Sequence, residues 1–228
     1  MSDDFSSSLQ SFGGELCSAF MQELPVSGVS ITVFPGHAPE TSIFASDATA
    51  AKIDELQFDL GEGPRWEALR THRPVLLPYV KLDNHAAWPV FAKELMDLDV
   101  ASLFVFPLAL GAMDIGCIEL YSTSPGPLSK ADQSTALQLT NAAAWKLLRH
   151  ILAAGPENST GPAQDSSTFS RREVHQATGM VLAQTGMSAT DSLLLLRAHA
   201  FSQGRTVRDV ARDVVSRELD FTPPRSGY

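Results

Sequence analysis

Six arginines between positions 171 and 212 carry the most legible chemistry in this chain: Arg171, Arg172, Arg197, Arg205, Arg208 and Arg212. No lysine occurs from Ser170 to Tyr228. A guanidinium is a planar fork of donors that grips phosphate in bidentate fashion and stacks on flat rings. His175 and Gln176 add hydrogen-bonding groups beside them, and Gly179 offers a place with no side chain at all. Donors around a bare stretch of backbone suit recognition of a flat or anionic partner.

The elements that must position them announce themselves by their starts. Ser170-x-x-Glu173, Ser188-x-x-Asp191 and Thr206-x-x-Asp209 have capping-box spacing. They predict helices over 171–185, 189–203 and 207–219, a three-helix bundle. At 100° per residue, Val174, Ala177 and Val181 of the first helix face inward. Arg172, His175, Gln176, Gly179 and Ala183 fall on the other side. A helical glycine costs about 1 kcal/mol relative to alanine. Close packing of a neighbouring helix and close approach of a flat or anionic partner are both consistent with it. The third helix is amphipathic through Val207, Val210, Ala211, Val214 and Val215. The four leucines 193–196 of the second point all around, so it reads as the central helix of the bundle, with Gly204 as its stop.

Charge divides the chain. Met1 to Phe169 holds 9 Lys and Arg against 20 Asp and Glu, net −11; Ser170 to Tyr228 holds 8 Arg against 6 acids, net +2; the whole is −9. Such acidity excludes a general nucleic-acid binder, whose phosphate contacts need a basic footprint, yet leaves a local arginine surface on the smaller part. Asp213–Arg217 and Asp209–Arg212 have pairing distances along a helix. Arg171, Arg172, Arg205 and Arg208 are less obviously paired and are the stronger contact candidates.

The segment Val174-His-Gln-Ala-Thr-Gly-Met-Val181, with Leu193–Arg197, Phe201 and Thr206–Val215 at the same order and spacing, resembles the ANTAR family, the RNA-binding module of bacterial transcription antiterminators. The resemblance implies RNA contact through Arg171, Arg172, His175, Gln176, Thr178, Gly179, Arg197, Arg205, Arg208 and Arg212. Many members have Lys where Thr178 stands, so one phosphate contact is missing here.

The larger part reads as α+β. Phe5, Leu9, Phe12, Leu16, Phe20 and Leu24 give a first amphipathic helix. Strands are expected at Val29–Phe34, Thr41–Ser46, Pro74–Pro78, Ala101–Leu110 and Ile115–Ser122, the last two joined as a hairpin through Gly111–Asp114. Pro107 marks an edge or an irregularity. Helices are expected at 47–57, 66–71 and 88–98, and a long one to Leu152 opens at Ser129-x-x-Asp132. This order, with Leu60-Gly-Glu-Gly-Pro64 and Leu128-Ser-Lys-Ala-Asp132, resembles a GAF domain over about residues 10–152. The fold class is therefore an N-terminal antiparallel sheet flanked by helices, followed by a three-helix bundle. The boundaries are 1–152 for a sensory and dimerising domain, 153–169 for a flexible Gly/Pro/Ser-rich linker and 170–228 for the ANTAR-like domain.

The larger part gives little away about its signal. Cys17 and Cys117 lack metal-ligand spacing and read as buried apolar residues. Related sequences often have Cys after Gly-Glu-Gly-Pro; Arg65 stands there, which disfavours a thiol sensor. Arg65, Trp66, Tyr79 and Trp88 are the residues for an anionic or aromatic pocket, the tryptophans reading first as core anchors. His37, His72 and His85 are the haem-ligand candidates and read first as surface or loop residues. No metal or cofactor is assigned. No P-loop, dinucleotide turn, Gly-x-Ser-x-Gly or His-Glu-x-x-His occurs. Asp59, Glu62 and Glu67 read as solvated carboxylates, so no enzyme is expected.

The long last helix of the larger part is apolar on two sides, with Leu137, Ala144, Leu148 and Ile151 on one and Leu139, Ala143 and Leu147 on the other. One side suits the sheet and the other a second copy, so a homodimer is expected. The chain shows no signal-peptide pattern and no run of 18 apolar residues, which points to the cytoplasm. The combined expectation is an antitermination regulator that holds paired RNA hairpins, with a small-molecule signal at the GAF part. A DNA-binding helix-turn-helix and a regulator acting through a protein partner are the alternatives.

Overall fold

The computed structural model describes residues 2–34, 40–82, 85–154 and 171–222. The chain divides into two compact units. The first comprises Met1–Phe58 and Glu62–Phe169, the second Ser170–Tyr228 with Asp59–Gly61. The stretch read as a linker, 153–169, lies outside the described residues except for its first two, which finish a helix.

The first unit is a five-stranded antiparallel sheet of order β2-β1-β5-β4-β3. Its strands are β1 (Gly28–Val33), β2 (Thr41–Ala45), β3 (Val75–Leu77), β4 (Ser102–Leu110) and β5 (Met113–Ser122). Its helices are α1 (Ser2–Glu23), α2 (Ala48–Leu60), α3 (Pro64–Thr71), α4 (Pro89–Met96) and α5 (Lys130–Ala154). Helices α1 and α5 cover one face. There Leu16 and Phe20 meet Ile31, Phe106, Ile118 and Leu147 in one apolar cluster. Ser129 opens α5 as a complete capping box: its hydroxyl accepts from the Asp132 amide at 3.1 Å, and its amide donates to the Asp132 carboxylate at 3.1 Å. Pro107 sits in an inner strand. β3 reaches only Leu103–Val105 of β4, so the missing amide at Pro107 costs no ladder bond on that side, and the register shifts just beyond it, between Leu108 and Ala109.

Strand β1 is buried at all six positions. Alternation of the kind seen in Val-Ser-Ile-Thr-Val ordinarily marks a strand with one wet face. Here the polar face is covered as well: Thr32 donates to Asp54 of α2 at 2.6 Å, and Ser30 donates to Glu119 of the neighbouring strand β5 at 3.3 Å.

The second unit is a bundle of α6 (Arg172–Thr185), α7 (Ala189–Ser202) and α8 (Val207–Val215). Val174, Ala177 and Val181 meet Leu196, Ala200, Val207, Val210, Ala211 and Val214 in its core, all buried. Ser188 and Thr206 accept from the amides of Asp191 and Asp209, each at 3.1 Å. In both, the hydroxyl donates onward to the carboxylate, which therefore does not reach back to the N-cap amide. The start read at Ser170 lies outside the described residues. Arg171 precedes α6 with no side-chain cap. Helix α8 is shorter than its pattern, because Arg217 turns to φ 64. Helix α7 is not the central helix that its leucines suggest. It buries only Ser192, Leu196 and Ala200, and leaves Leu194 62% and Phe201 65% exposed.

Candidate functional site

The outward strip of α6 survives in three dimensions. Arg172, Gln176, Gly179 and Ala183 are exposed and His175 is half-buried. A Cβ built at Gly179 meets nothing within 4 Å. Close packing within the described chain therefore does not explain this glycine, and its backbone is open to solvent. Two of the candidate residues lie elsewhere. Thr178 is buried, and its hydroxyl donates to the Val174 carbonyl at 2.7 Å, the common fate of a helical threonine whose side chain faces inward. Arg171 is 8% exposed, at the start of the helix.

The other arginines are ordered by carboxylates. Arg205 donates to Asp213 at 2.7 Å; that hydrogen bond holds the Asp213 carboxyl below its ordinary range and raises Arg205. Arg208 faces Glu173 at 3.5 Å and Arg212 meets Asp209 at 3.1 Å. The spacing pair Asp213–Arg217 does not form, because α8 ends at Val215 and Arg217 turns out of the helix at φ 64; Arg205 from the α7–α8 turn meets Asp213. Arg205 and Arg208, which local spacing leaves without partners, thus meet carboxylates of α8 and α6 respectively. Arg197 is half-buried on α7.

In the first unit, the polar face of the sheet carries a sealed cluster around Arg65, whose side chain is wholly buried. Its Nε–H donates to Glu119 at 2.6 Å, one terminal nitrogen donates to Glu40 at 2.5 Å, and the other makes a short bond to Asp54. Gln57 donates to the same Glu119 oxygen at 2.9 Å and accepts from the Arg65 amide at 2.8 Å. Gly63, at φ 129, lies against Gln57: an added Cβ would come within 2.7 Å of it. Burial pushes the Glu119 carboxyl up, against the pull of Arg65. Arg65 therefore does not line a pocket for an anion; its donors are committed to carboxylates. Trp66 donates to the Gln57 carbonyl at 3.0 Å and Trp88 is buried, whereas Tyr79 is exposed. Glu62 is not merely solvated: one oxygen accepts from the Val90 and Phe91 amides at 2.8 and 2.7 Å, capping α4. Cys17 and Cys117 are buried free thiols, both pushed up by burial. His72 pairs with Asp114 at 3.1 Å and His85 lies against Trp88, while His37 falls outside the described residues.

The family model for the GAF domain matches residues 6–145, and that for the ANTAR domain matches residues 169–215. The chain belongs to the GAF family and carries an ANTAR domain. Among solved structures it is similar to a domain of a protein described as a two-component sensor histidine kinase from Sinorhizobium meliloti 1021. That match has 16% identity and a TM-score of 0.52, covering 63% of this chain and 94% of the other. It is also similar to the GAF domain region of a protein described as a membrane protein from Geobacter sulfurreducens PCA, at 13% identity and a TM-score of 0.50, covering 64% and 96%. At such identity the likeness speaks for the fold alone. No curated protein shows significant similarity to the chain.

The two domains make this a signalling regulator. Sequence reasoning missed the Arg65 cluster of the GAF domain. Its signal was present: Glu119 is a lone charge in the apolar run Ile115–Tyr121, and Ser30 and Thr32 interrupt another. Among the described residues no helix is long and apolar enough to cross a membrane.

Proposed function

We propose that the protein is a cytoplasmic regulator of transcription antitermination. The GAF domain receives a small-molecule signal, and the ANTAR domain holds paired RNA hairpins so that a downstream terminator does not form. The observation that carries this reading is the outward face of α6, where bare backbone at Gly179 follows exposed donors at Gln176, one turn before it, and Arg172, two turns before it. Hairpin loops splay their bases, which are read by stacking and by edge hydrogen bonds; an open helical backbone preceded by a guanidinium and an amide suits both. The protein works as a homodimer in this reading. Leu137, Trp145 and Leu152 lie on one side of α5 and are 45%, 59% and 69% exposed. An apolar stripe of that kind marks an association surface, and two copies of the ANTAR domain match two hairpins. No catalytic step enters.

The test is filter binding of the full chain to a double-hairpin RNA, a single hairpin and duplex DNA. The double hairpin should bind best, and Arg172→Ala should weaken it by about tenfold or more, the size of one charge-assisted hydrogen bond. Preference for duplex DNA would favour the helix-turn-helix reading, and binding to none of the three would favour a protein partner. Unchanged affinity in Arg172→Ala would remove this face from the interface.

A further inference from the structure

Among the described residues the cation that meets Glu119 is Arg65, which it shares with two other buried carboxylates, Glu40 and Asp54. Its two oxygens are not equivalent. Oε1 accepts from Arg65 Nε at 2.6 Å and Gln57 Nε2 at 2.9 Å. Oε2 meets only the Ser30 hydroxyl, at 3.3 Å, which is long for an O–H···O bond. Oε2, turned away from the cation and holding only this long contact, is the weakly compensated oxygen of the pair, where a proton sits at least cost. A carboxylic acid there donates to Ser30 Oγ and keeps Oε1 as the acceptor for Arg65 and Gln57.

The groups around Glu119 give it little further compensation. From β1 it faces the neutral hydroxyls of Ser30 and Thr32, and from β4 its register partner is Val105. On β5 itself Cys117 stays a thiol, because burial raises it. Helix α2 supplies Asp54 and Gln57, α3 supplies Arg65, and the segment before β2 supplies Glu40. Asp54 repels a charge on Glu119, and Glu40 competes for the same guanidinium. Desolvation acts the same way and is the largest cause raising the carboxyl.

We propose that Glu119, on the oxygen facing Ser30, keeps its proton to a pH well above that of an ordinary glutamate, and that its release and uptake give the GAF domain a built-in response to pH. Loss of the proton puts a further negative charge into the junction where α2 and α3 meet β5, the elements that close the polar face of the sheet. Glu119 belongs to the GAF domain alone, so this inference does not depend on RNA binding.

Carbon-13 NMR titration of glutamate-labelled full-length protein tests it, with the Glu119 signal assigned by its disappearance in Glu119→Gln. One glutamate carboxyl carbon should titrate with a midpoint clearly above that of the other glutamates and of an ordinary glutamate, about 4.3. In Asp54→Asn, where a repelling charge is removed, that midpoint should move down. The sign for stability follows: a folded-state value above the unfolded one means that stability falls as pH rises through the folded midpoint. Glu119→Gln, a neutral isostere, should flatten that fall, followed through Trp66 fluorescence. If every glutamate carboxyl carbon in the wild-type protein titrates within or below the ordinary glutamate range, the proposal is overturned, whether or not the variants fold.

Discussion

At Gly179 the absence of a side chain leaves the backbone of α6 bare, and the two roles of that glycine can be separated. Gly179→Ala meets no neighbour, so the variant should gain about 1 kcal/mol of helix stability. If RNA approaches the backbone there, the same methyl should lower hairpin affinity. Thermal unfolding and filter binding on one variant therefore move in opposite directions; a gain in both would show that the glycine has no role in binding. Arg65 is the contrasting case. Truncating it leaves buried carboxylates without their cation, and Arg65→Ala should cost about 3–5 kcal/mol in denaturant unfolding. Gly179 was legible because a helical wheel is local. Arg65 was misread as pocket-lining because its partners, Glu40 and Glu119, stand far away in sequence and only the folded sheet brings them together.

The short helices of the ANTAR domain depend on their ends. Thr206→Ala removes the acceptor for the Asp209 amide and should cost about 1 kcal/mol, read by far-UV thermal melting. The Arg205–Asp213 pair fastens the α7–α8 turn to the body of α8. Because that pair depresses the Asp213 carboxyl, its contribution is complete above the ordinary carboxylate range and fades as pH falls through the lowered value. Asp213→Asn should remove that part of the acid dependence. Helix existence and the inward face of α8 were readable because valines at three- and four-residue spacing admit one interpretation. The place of α7 was not, since four consecutive leucines say how much apolar surface exists but not which part finds cover; Leu196 is buried and Leu194 is exposed. Likewise the alternation in β1 fixed a strand without revealing that both of its faces would be covered.

Across the whole chain, the exposed stripe on α5 predicts association. Trp145→Asp should convert a dimer to a monomer in light scattering while leaving the GAF core folded, because Trp145 is 59% exposed. A wild-type monomer at high concentration would remove the dimer from the reading. The division of charge, acidic in one part and weakly basic in the other, was legible from counting alone; the order of the two domains was legible in the motifs that resemble the two families. The sheet carries one more consequence. Its β3 border is three residues long and bracketed by Pro74 and Pro78. Prolines offer no amide to an incoming strand, and so short a rim gives a stray chain little to copy. That side of the sheet should resist templated growth into fibrils even when the protein is crowded.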